Sequence, residues 1–233
     1  MKETGHGRNI HISYDQKLQP YHCRIAELVS EYSRPNGNLL DIGCGVGHTL
    51  KRIRKLLPDI ALYAADIDDE TLGITANRVN LAGTLKIDSV EDIIESNRKF
   101  DTVILSHSLE HMRCPLDIIE GVMSILEPGG LVIIAVPNPG RLNVFLGNLV
   151  RRHYANPGHM HAWDRSHFMN FLENIAGLNV IRYSHDYFPL PLLHGFRVFQ
   201  PLEKLLAHLF PWLSFSNIAV IRSDTSSVES GSA

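Results

Sequence analysis

Two hydrophobic rhythms alternate along this chain. Short runs that are apolar almost throughout (NLLDI at 38–42, LYAADI at 62–67, FDTVILS at 100–106 and LVIIAV at 131–136) are separated by longer stretches with apolar residues on one face. A short apolar run bounded by turn residues predicts a strand buried on both faces, and the longer one-sided stretches predict helices. The order that follows is a leading helix over about 21–33, with Pro20 just ahead of it as a start signal, then the strand at 38–42 and a helix over 47–57 stopped by Pro58. Next come the strand at 62–67, a helix over 70–81, a short strand ending near Asp88 and a helix over 90–97. The strand at 100–106 leads to a helix over 115–126 with Pro115 at its first position, and Pro128-Gly129-Gly130 predicts a sharp turn into 131–136. Buried strands alternating with helices predict an α/β fold with a parallel sheet covered on both faces.

After Val136 the rhythm changes. Residues 137–161 read as irregular, a helix returns over 165–175 with Gly177 as its cap, and a strand follows at 179–184. Residues 190–213 are apolar and punctuated by proline, and 218–222 reads as a last strand. The expectation is a single domain over 1–222, with a substrate cover at about 137–163 and 186–214, and a small, polar, disordered tail from 223 to 233.

Composition narrows the function. Of 233 residues, 44% are hydrophobic and 20% charged, the balance of an ordinary globular protein. The net charge of −3 provides no overall attraction to nucleic acid, so none is expected as a partner. Three cysteines (Cys23, Cys44, Cys114) without a CxxC pair suit a reducing cytoplasm better than a disulfide framework. The start has no apolar signal-peptide core, and no apolar run reaches the roughly 18 residues that span a bilayer. The stretch at 190–213 carries scattered Arg197, Glu203, Lys204 and His208, and leaves four readings open: peripheral membrane contact, a lid over a lipid-like acceptor, a homodimer contact, or core. Arg151, Arg152 and His153 form a short basic cluster, read as solvated surface or as a contact for an anionic headgroup.

The sharpest chemical signal is LLDIGCGVG at 39–47, a buried strand running into Gly43, Gly45 and Gly47. Glycines let a ligand approach the main chain, and in an open α/β sheet such a turn lies where ligands bind. The dinucleotide spacing GxGxxG fails, because the last position is His48. Asp41 before the loop would repel a pyrophosphate and suits an ammonium or sulfonium ligand. Asp66, near the end of the next strand, stands where two carboxylate oxygens could take ribose hydroxyls.

DIGCGVG, AADID, FDTVILSHSLEHM and LEPGGLVIIAVPN, in this order, resemble the class I S-adenosylmethionine-dependent methyltransferases, closely over 39–138 and more loosely to Arg222. The resemblance is greatest to the broad group that includes the ubiquinone-biosynthesis O-methyltransferases. It implies a three-layer Rossmann-like sandwich, α/β, with a mostly parallel seven-stranded sheet and an antiparallel last strand, and S-adenosyl-L-methionine as cofactor. It further implies that Gly43, Gly45 and Gly47 line the methionine and ribose portion, that Asp41 lies near the amino group, and that Asp66 binds the ribose hydroxyls. Ile67 would pack on adenine, Asp88 would meet the adenine amino group with the Ser89 backbone close by, and Ser106 would contact the methionine portion. Asp88-Ser89 also reads as a helix cap.

Thirteen histidines are many for this length. His107, Glu110 and His111 stand at i, i+3 and i+4, on one face if helical. HxxEH is a zinc-peptidase pattern on a long helix, whereas here it directly follows a strand. In the resembled family LEH at this place shapes the pocket floor, so the expectation is a site without metal. The small-RNA 2′-O-methyltransferases offer a second resemblance, ExxEH after the fourth strand and a further histidine beyond the fifth. There a metal holds the terminal ribose hydroxyls; here His107 replaces the first Glu, and GHMHAWDRSHF supplies His159 or His161. His161, His159 and His111 are the candidate catalytic residues, a neutral imidazole being able to take a proton from a hydroxyl. Trp163 and Phe168 read as packing residues. The expected function is methyl transfer to oxygen of a small molecule: a quinone precursor, a glycan or a lipid-linked acceptor. The alternatives are a metal-assisted RNA ribose 2′-O-methyltransferase and a cofactor-binding protein without catalysis.

Overall fold

The computed structural model describes residues 17–150, 158–190 and 197–223. Arg151, Arg152 and His153, parts of both cover segments and the tail beyond Ser223 lie outside the described residues. Seven strands form one sheet in the order β3-β2-β1-β4-β5-β7-β6: β1 (Asn38–Ile42), β2 (Ala61–Asp66), β3 (Gly83–Lys86), β4 (Phe100–Ser106), β5 (Leu126–Pro137), β6 (Val180–His185) and β7 (Ser216–Arg222). The pairs among β1 to β5 are parallel, and β7 runs antiparallel to both β5 and β6. The strand order reverses between β1 and β4, so their carboxyl ends flank the crevice in which open α/β sheets bind ligands.

The helices are α1 (Pro20–Tyr32), α2 (His48–Leu56), α3 (Asp69–Arg78), α4 (Val90–Glu95), α5 (Pro115–Ser124), α6 (Leu142–Val150), α7 (Arg165–Asn170) and α8 (Gln200–Leu209). Because side chains alternate across a strand, each apolar strand feeds both layers. Leu39, Ile104, Leu131 and Ile133 pack with Ile25, Val29, Leu50 and Ile53 of α1 and α2. Leu40, Ile42, Val103, Leu105 and Ile134 pack on the other face with Ile119, Val122, Phe168 and Leu172. Many of these side chains are fully buried, each contributing about 1.5–3 kcal/mol relative to exposure.

Two expectations need correction. Residues 137–161 are not irregular throughout, since they contain α6. Its sequence, LNVFLGNLV, lacks a polar face, and none of its residues is buried, so it carries no amphipathic stripe to read. Nor is Pro128-Gly129-Gly130 a turn ahead of a strand. β5 runs through it, with Phe100 facing Leu126 and then Thr102 facing Leu131. Gly129 takes the left-handed conformation (φ +70°), and a Cβ on Gly130 would stand 2.8 Å from the Glu127 carbonyl oxygen. The same residues that make turns here make a bulge. The helix expected over 165–175 is α7 continued by a π turn, Phe171–Ile175; Gly177 (φ +64°) then lets the Leu178 N–H close on the Leu172 carbonyl at 2.9 Å.

Candidate active site

The glycine loop joins β1 to α2 and is shaped by close approach. Gly43 (φ +73°), Gly45 (φ +51°) and Gly47 (φ +78°) are all left-handed. A Cβ on Gly43 would stand 2.7 Å from Ser108 Cβ, and one on Gly47 would stand 2.7 Å from Thr75 Cγ2. The loop is tied to the end of β2: the Gly43 and Cys44 N–H groups donate to the Ala65 carbonyl at 2.8 and 3.1 Å, and the Gly45 N–H donates to Asp66 Oδ2 at 3.1 Å. The other Asp66 oxygen accepts from the Asp68 N–H at 3.2 Å, and Thr75 Oγ1 donates to the Gly45 carbonyl at 2.7 Å. Asp41 is buried beneath the loop, and Ile67 is exposed beside Asp66. Burial, with the Asp41 and Asp66 carboxylates, pushes the Cys44 thiol well up, so it stays protonated.

This cradle fits the sulfonium cofactor implied by the sequence resemblance. There is no room for a Cβ at Gly43 or Gly47, two carboxylates accompany the loop, and the Ser106 and Ser108 hydroxyl oxygens are buried nearby without a hydrogen-bond partner among the described residues. Asp88 and Ser89 lie at the end of β3. Ser89 is the N-cap of α4, in a capping box whose Asp92 carboxylate accepts from the Asp88 and Ser89 N–H groups at 2.7 and 2.9 Å. The exposed Asp88 carboxylate lies 3.3 Å from Lys86 Nζ.

A second group of side chains follows β4. His107 takes an unusual left-handed conformation (φ +54°), its N–H donating to the Ala135 carbonyl at 2.8 Å. A single 3-10 turn, Leu109–His111, then points Glu110 inward, 1% exposed. Around Glu110 Oε1 stand His107 Nδ1 at 3.8 Å, His159 Nε2 at 3.9 Å and His111 Nε2 at 4.0 Å. Neither Glu110 oxygen has a hydrogen-bond partner among the described residues, and burial pushes its carboxyl up to about 8. The segment carrying His159 is latched to this turn by the Met160 and His161 N–H groups, which donate to the Glu110 carbonyl at 2.9 and 3.1 Å. His111 Nδ1 is bonded to the Gly158 carbonyl at 2.8 Å, and the His111 and His159 rings meet edge to face.

His161 does not join them. Its Nε2 lies 3.3 Å from the Arg113 carbonyl and its ring stacks on Trp163. Trp163 in turn packs on Phe171, and Phe168 is buried in the core. The sequence reading missed the supports of His107. Its Nε2 is 2.8 Å from Ser216 Oγ, which donates to Asp186 Oδ2 at 2.8 Å, and its ring stacks on Tyr21. Burial pushes Asp186 up to about 6, and burial first, with the Arg141 guanidinium nearby, holds His107 well below the usual histidine range. These partners are about 80 to 110 residues from His107 along the chain and carry no local signal. Beyond this group, α6 and α8 expose Phe145, Leu149, Val150, Leu205 and Leu209, and no described helix is long and apolar enough to cross a membrane.

Residues 14–183 match the family described as a methyltransferase domain. A carboxy-S-adenosyl-L-methionine synthase of Campylobacter fetus is 30% identical over 125 residues, covering 50% of this chain and 53% of that protein. A ubiquinone biosynthesis O-methyltransferase of Cereibacter sphaeroides is 30% identical over 142 residues, covering 52% and 56%. The chain thus spans about half the length of the curated relatives it matches. Among solved structures, the plantazolicin methyltransferase BpumL in complex with SAH superposes with a TM-score of 0.60 at 17% identity, covering 93% of this chain and 90% of that one. A putative methyltransferase of Haloferax volcanii, in complex with the Trm112 methyltransferase activator, superposes with a TM-score of 0.65 at 16% identity, covering 93% and 95%. At such identities these structures share the fold.

Proposed function

The chain belongs to the class I S-adenosylmethionine-dependent methyltransferases, and from that premise we propose that it methylates a hydroxyl oxygen of a small-molecule acceptor held against Glu110, His111 and His159. The observation that carries this reading is the placement of that group. Ser108, two residues before Glu110, is the side chain that a Cβ on Gly43 would strike, so the imidazoles stand beside the cofactor loop.

When bound, S-adenosylmethionine supplies a methyl group already made electrophilic by its sulfonium, and leaves as the thioether S-adenosylhomocysteine. The protein's own task is alignment and proton removal. Gly43, Gly45 and Gly47 with Asp66 hold the donor side, and the turn after β4 bounds the acceptor side. Holding the acceptor oxygen, methyl carbon and sulfur in line can contribute roughly 7–11 kcal/mol in ideal cases. As the oxygen–carbon bond forms and the carbon–sulfur pair returns to sulfur, the hydroxyl proton passes to an imidazole nitrogen. His111 suits that role: a carbonyl only accepts, so the Gly158 bond places a proton on Nδ1 and leaves Nε2 as the basic nitrogen of the neutral ring. Such a base contributes about 10²–10⁴-fold.

The exposed apolar residues of α6 and α8 support an acceptor with an apolar portion, of the quinone-precursor or lipid-linked class, and peripheral membrane contact. The test is transfer of an isotopically labelled methyl group to a panel of catechols, quinols, glycans, lipid-linked sugars and RNA, read by mass spectrometry beside calorimetry with S-adenosylmethionine. A labelled methyl ether on a small acceptor is expected. Label in RNA alone would transfer the reading to ribose methylation, and donor binding with no transfer to any acceptor would make the chain a binding protein.

A further inference from the structure

We propose that Glu110, His111 and His159 form a binding site for a divalent first-row transition cation of the zinc or cobalt kind. Their ligand atoms all lie within 4.8 Å of one another. The inference rests on the reading above only for the site's use in methyl transfer; cation binding stands on the geometry alone.

Glu110 is the first argument. It is 1% exposed, and neither carboxylate oxygen has a hydrogen-bond partner among the described residues. A buried carboxyl left so is destabilising, and such a group calls for an ion or a proton. The imidazoles supply the second. The Gly158 carbonyl fixes the Nδ1 proton of neutral His111, so its Nε2 lone pair faces Glu110 Oε1 at 4.0 Å. On the other side Ser216 gives its single proton to Asp186, so it accepts from His107 Nε2–H, and the His107 Nδ1 lone pair also faces Oε1, at 3.8 Å. Two nitrogen lone pairs thus converge on one oxygen. A single proton can bridge only one of them at a time, whereas a cation among Glu110, His111 and His159 relieves the repulsion on its whole side.

The supports have the form that metal sites use. A ligating histidine usually donates its other ring N–H to a carbonyl or carboxylate, as His111 does to Gly158. The two segments that carry the ligands are joined beforehand, through the Met160 and His161 N–H bonds to the Glu110 carbonyl. Ligand atoms around a four-coordinate ion with bonds of about 2.0–2.1 Å stand roughly 3.3 Å apart. The present separations, 3.9 and 4.0 Å to Glu110 and within 4.8 Å for the whole set, are within reach of side-chain rotation. Two imidazoles and one carboxylate favour borderline transition ions over magnesium or calcium, which prefer oxygen-only shells. Three protein ligands also leave a position for an acceptor oxygen, whose proton a coordinated cation makes easier to lose to water; with the ion bound His111 Nε2 is a ligand, and it serves as the base only in the cation-free site.

The test uses the untagged full chain, stripped with chelator and titrated with Co²⁺ under visible spectroscopy, then with Zn²⁺ in competition and with Mg²⁺. One equivalent of Co²⁺ with ligand-field bands is expected, displaced by Zn²⁺ and not by Mg²⁺. Glu110→Gln and His159→Asn should each weaken it at least a hundredfold, while His161→Asn leaves it intact. Calorimetry with S-adenosylmethionine on each variant reports that the fold and donor site persist. Absence of a saturable equivalent, or equal binding in Glu110→Gln and His159→Asn, overturns the site. Methyl transfer undiminished by chelator would overturn its catalytic use, and Co²⁺ binding without donor binding would leave the site standing while the methyltransferase reading fell.

Discussion

The two sides of the crevice are built in opposite ways. On the donor side one contiguous stretch, Asp41 to Gly47, makes the loop, and its shape follows from backbone angles that only glycine adopts cheaply. On the acceptor side no stretch suffices. Glu110 and His111 come from the turn after β4, His159 from the segment beyond α6, and the supports of His107 from residues 186 and 216. A motif-built site leaves no room for a side chain at Gly43 or Gly47, and its distant supports, Ala65, Asp66 and Thr75, hold the loop backbone. A site assembled from distant segments can be altered residue by residue while the donor side stays intact. The division predicts that the two functions, holding the donor and removing the acceptor's proton, separate by mutation.

The largest expected effect is on the acceptor side. His111→Ala should slow methyl transfer by about 10²–10⁴-fold, with donor affinity within about twofold of wild type, because its ring is set against the Gly158 carbonyl and Glu110 on the acceptor side. His161→Ala is the comparison, since its ring is bonded to the Arg113 carbonyl and stacked on Trp163 rather than set beside Glu110. Single-turnover rates and calorimetry on both variants decide. A loss confined to His161→Ala would give the proton to His161, and a parallel loss of donor affinity in His111→Ala would erase the division.

Next is Gly47→Val on the donor side. A Cβ there meets Thr75 Cγ2 at 2.7 Å, at φ +78°, where a β-branched residue is strained. Strain and displacement together should cost about 2–4 kcal/mol of stability and abolish donor binding. A urea midpoint equal to that of wild type would show that the loop yields more easily than its geometry indicates. Asp66→Ala is gentler. It removes the acceptor of the Gly45 and Asp68 N–H groups and the expected ribose partner, so donor affinity should fall about tenfold or more, as for loss of a charge-assisted hydrogen bond. Unchanged affinity would remove the ribose role.

The same contrast explains what was legible in the sequence. β1 and β4 were readable to the residue, and β2 nearly so, because a strand buried on both faces is apolar at nearly every position. The loop was readable because three glycines at that spacing after a strand serve few other purposes. α6 was not, since it buries no residue and shows no stripe, and the bulge in β5 borrows the residues of a turn. HxxEH announced a cluster, yet nothing in GHMH distinguishes His159 from His161. The choice is made by two backbone bonds to the Glu110 carbonyl and by the Trp163 ring that draws His161 aside. Asp186 and Ser216 were invisible because their role exists only after the sheet closes.

α1 touches both sides, and the smallest prediction concerns it. Tyr21 stacks on His107 at the acceptor wall, while His22 faces His48 at the first position of α2, directly after the loop. Burial first, and then the neighbouring His48, lower the His22 pKa to about 3. Nδ1 of His22 also accepts the Gln19 N–H at 2.9 Å, a bond that protonation would remove. Between about pH 6.5 and 3 the unfolded chain therefore binds a proton that the folded chain refuses. His22 adds no penalty above that window, and stability falls as the pH drops through it, by up to about 1.4 kcal/mol per pH unit. Wild type should lose about 2 kcal/mol more than His22→Gln between pH 7 and pH 5, measured by urea unfolding at each pH, so that every other titrating group cancels in the difference. Parallel profiles would mean that α1 opens enough to let the proton in, and then the helix that joins the two sides would be a loose connection between them rather than a fixed one.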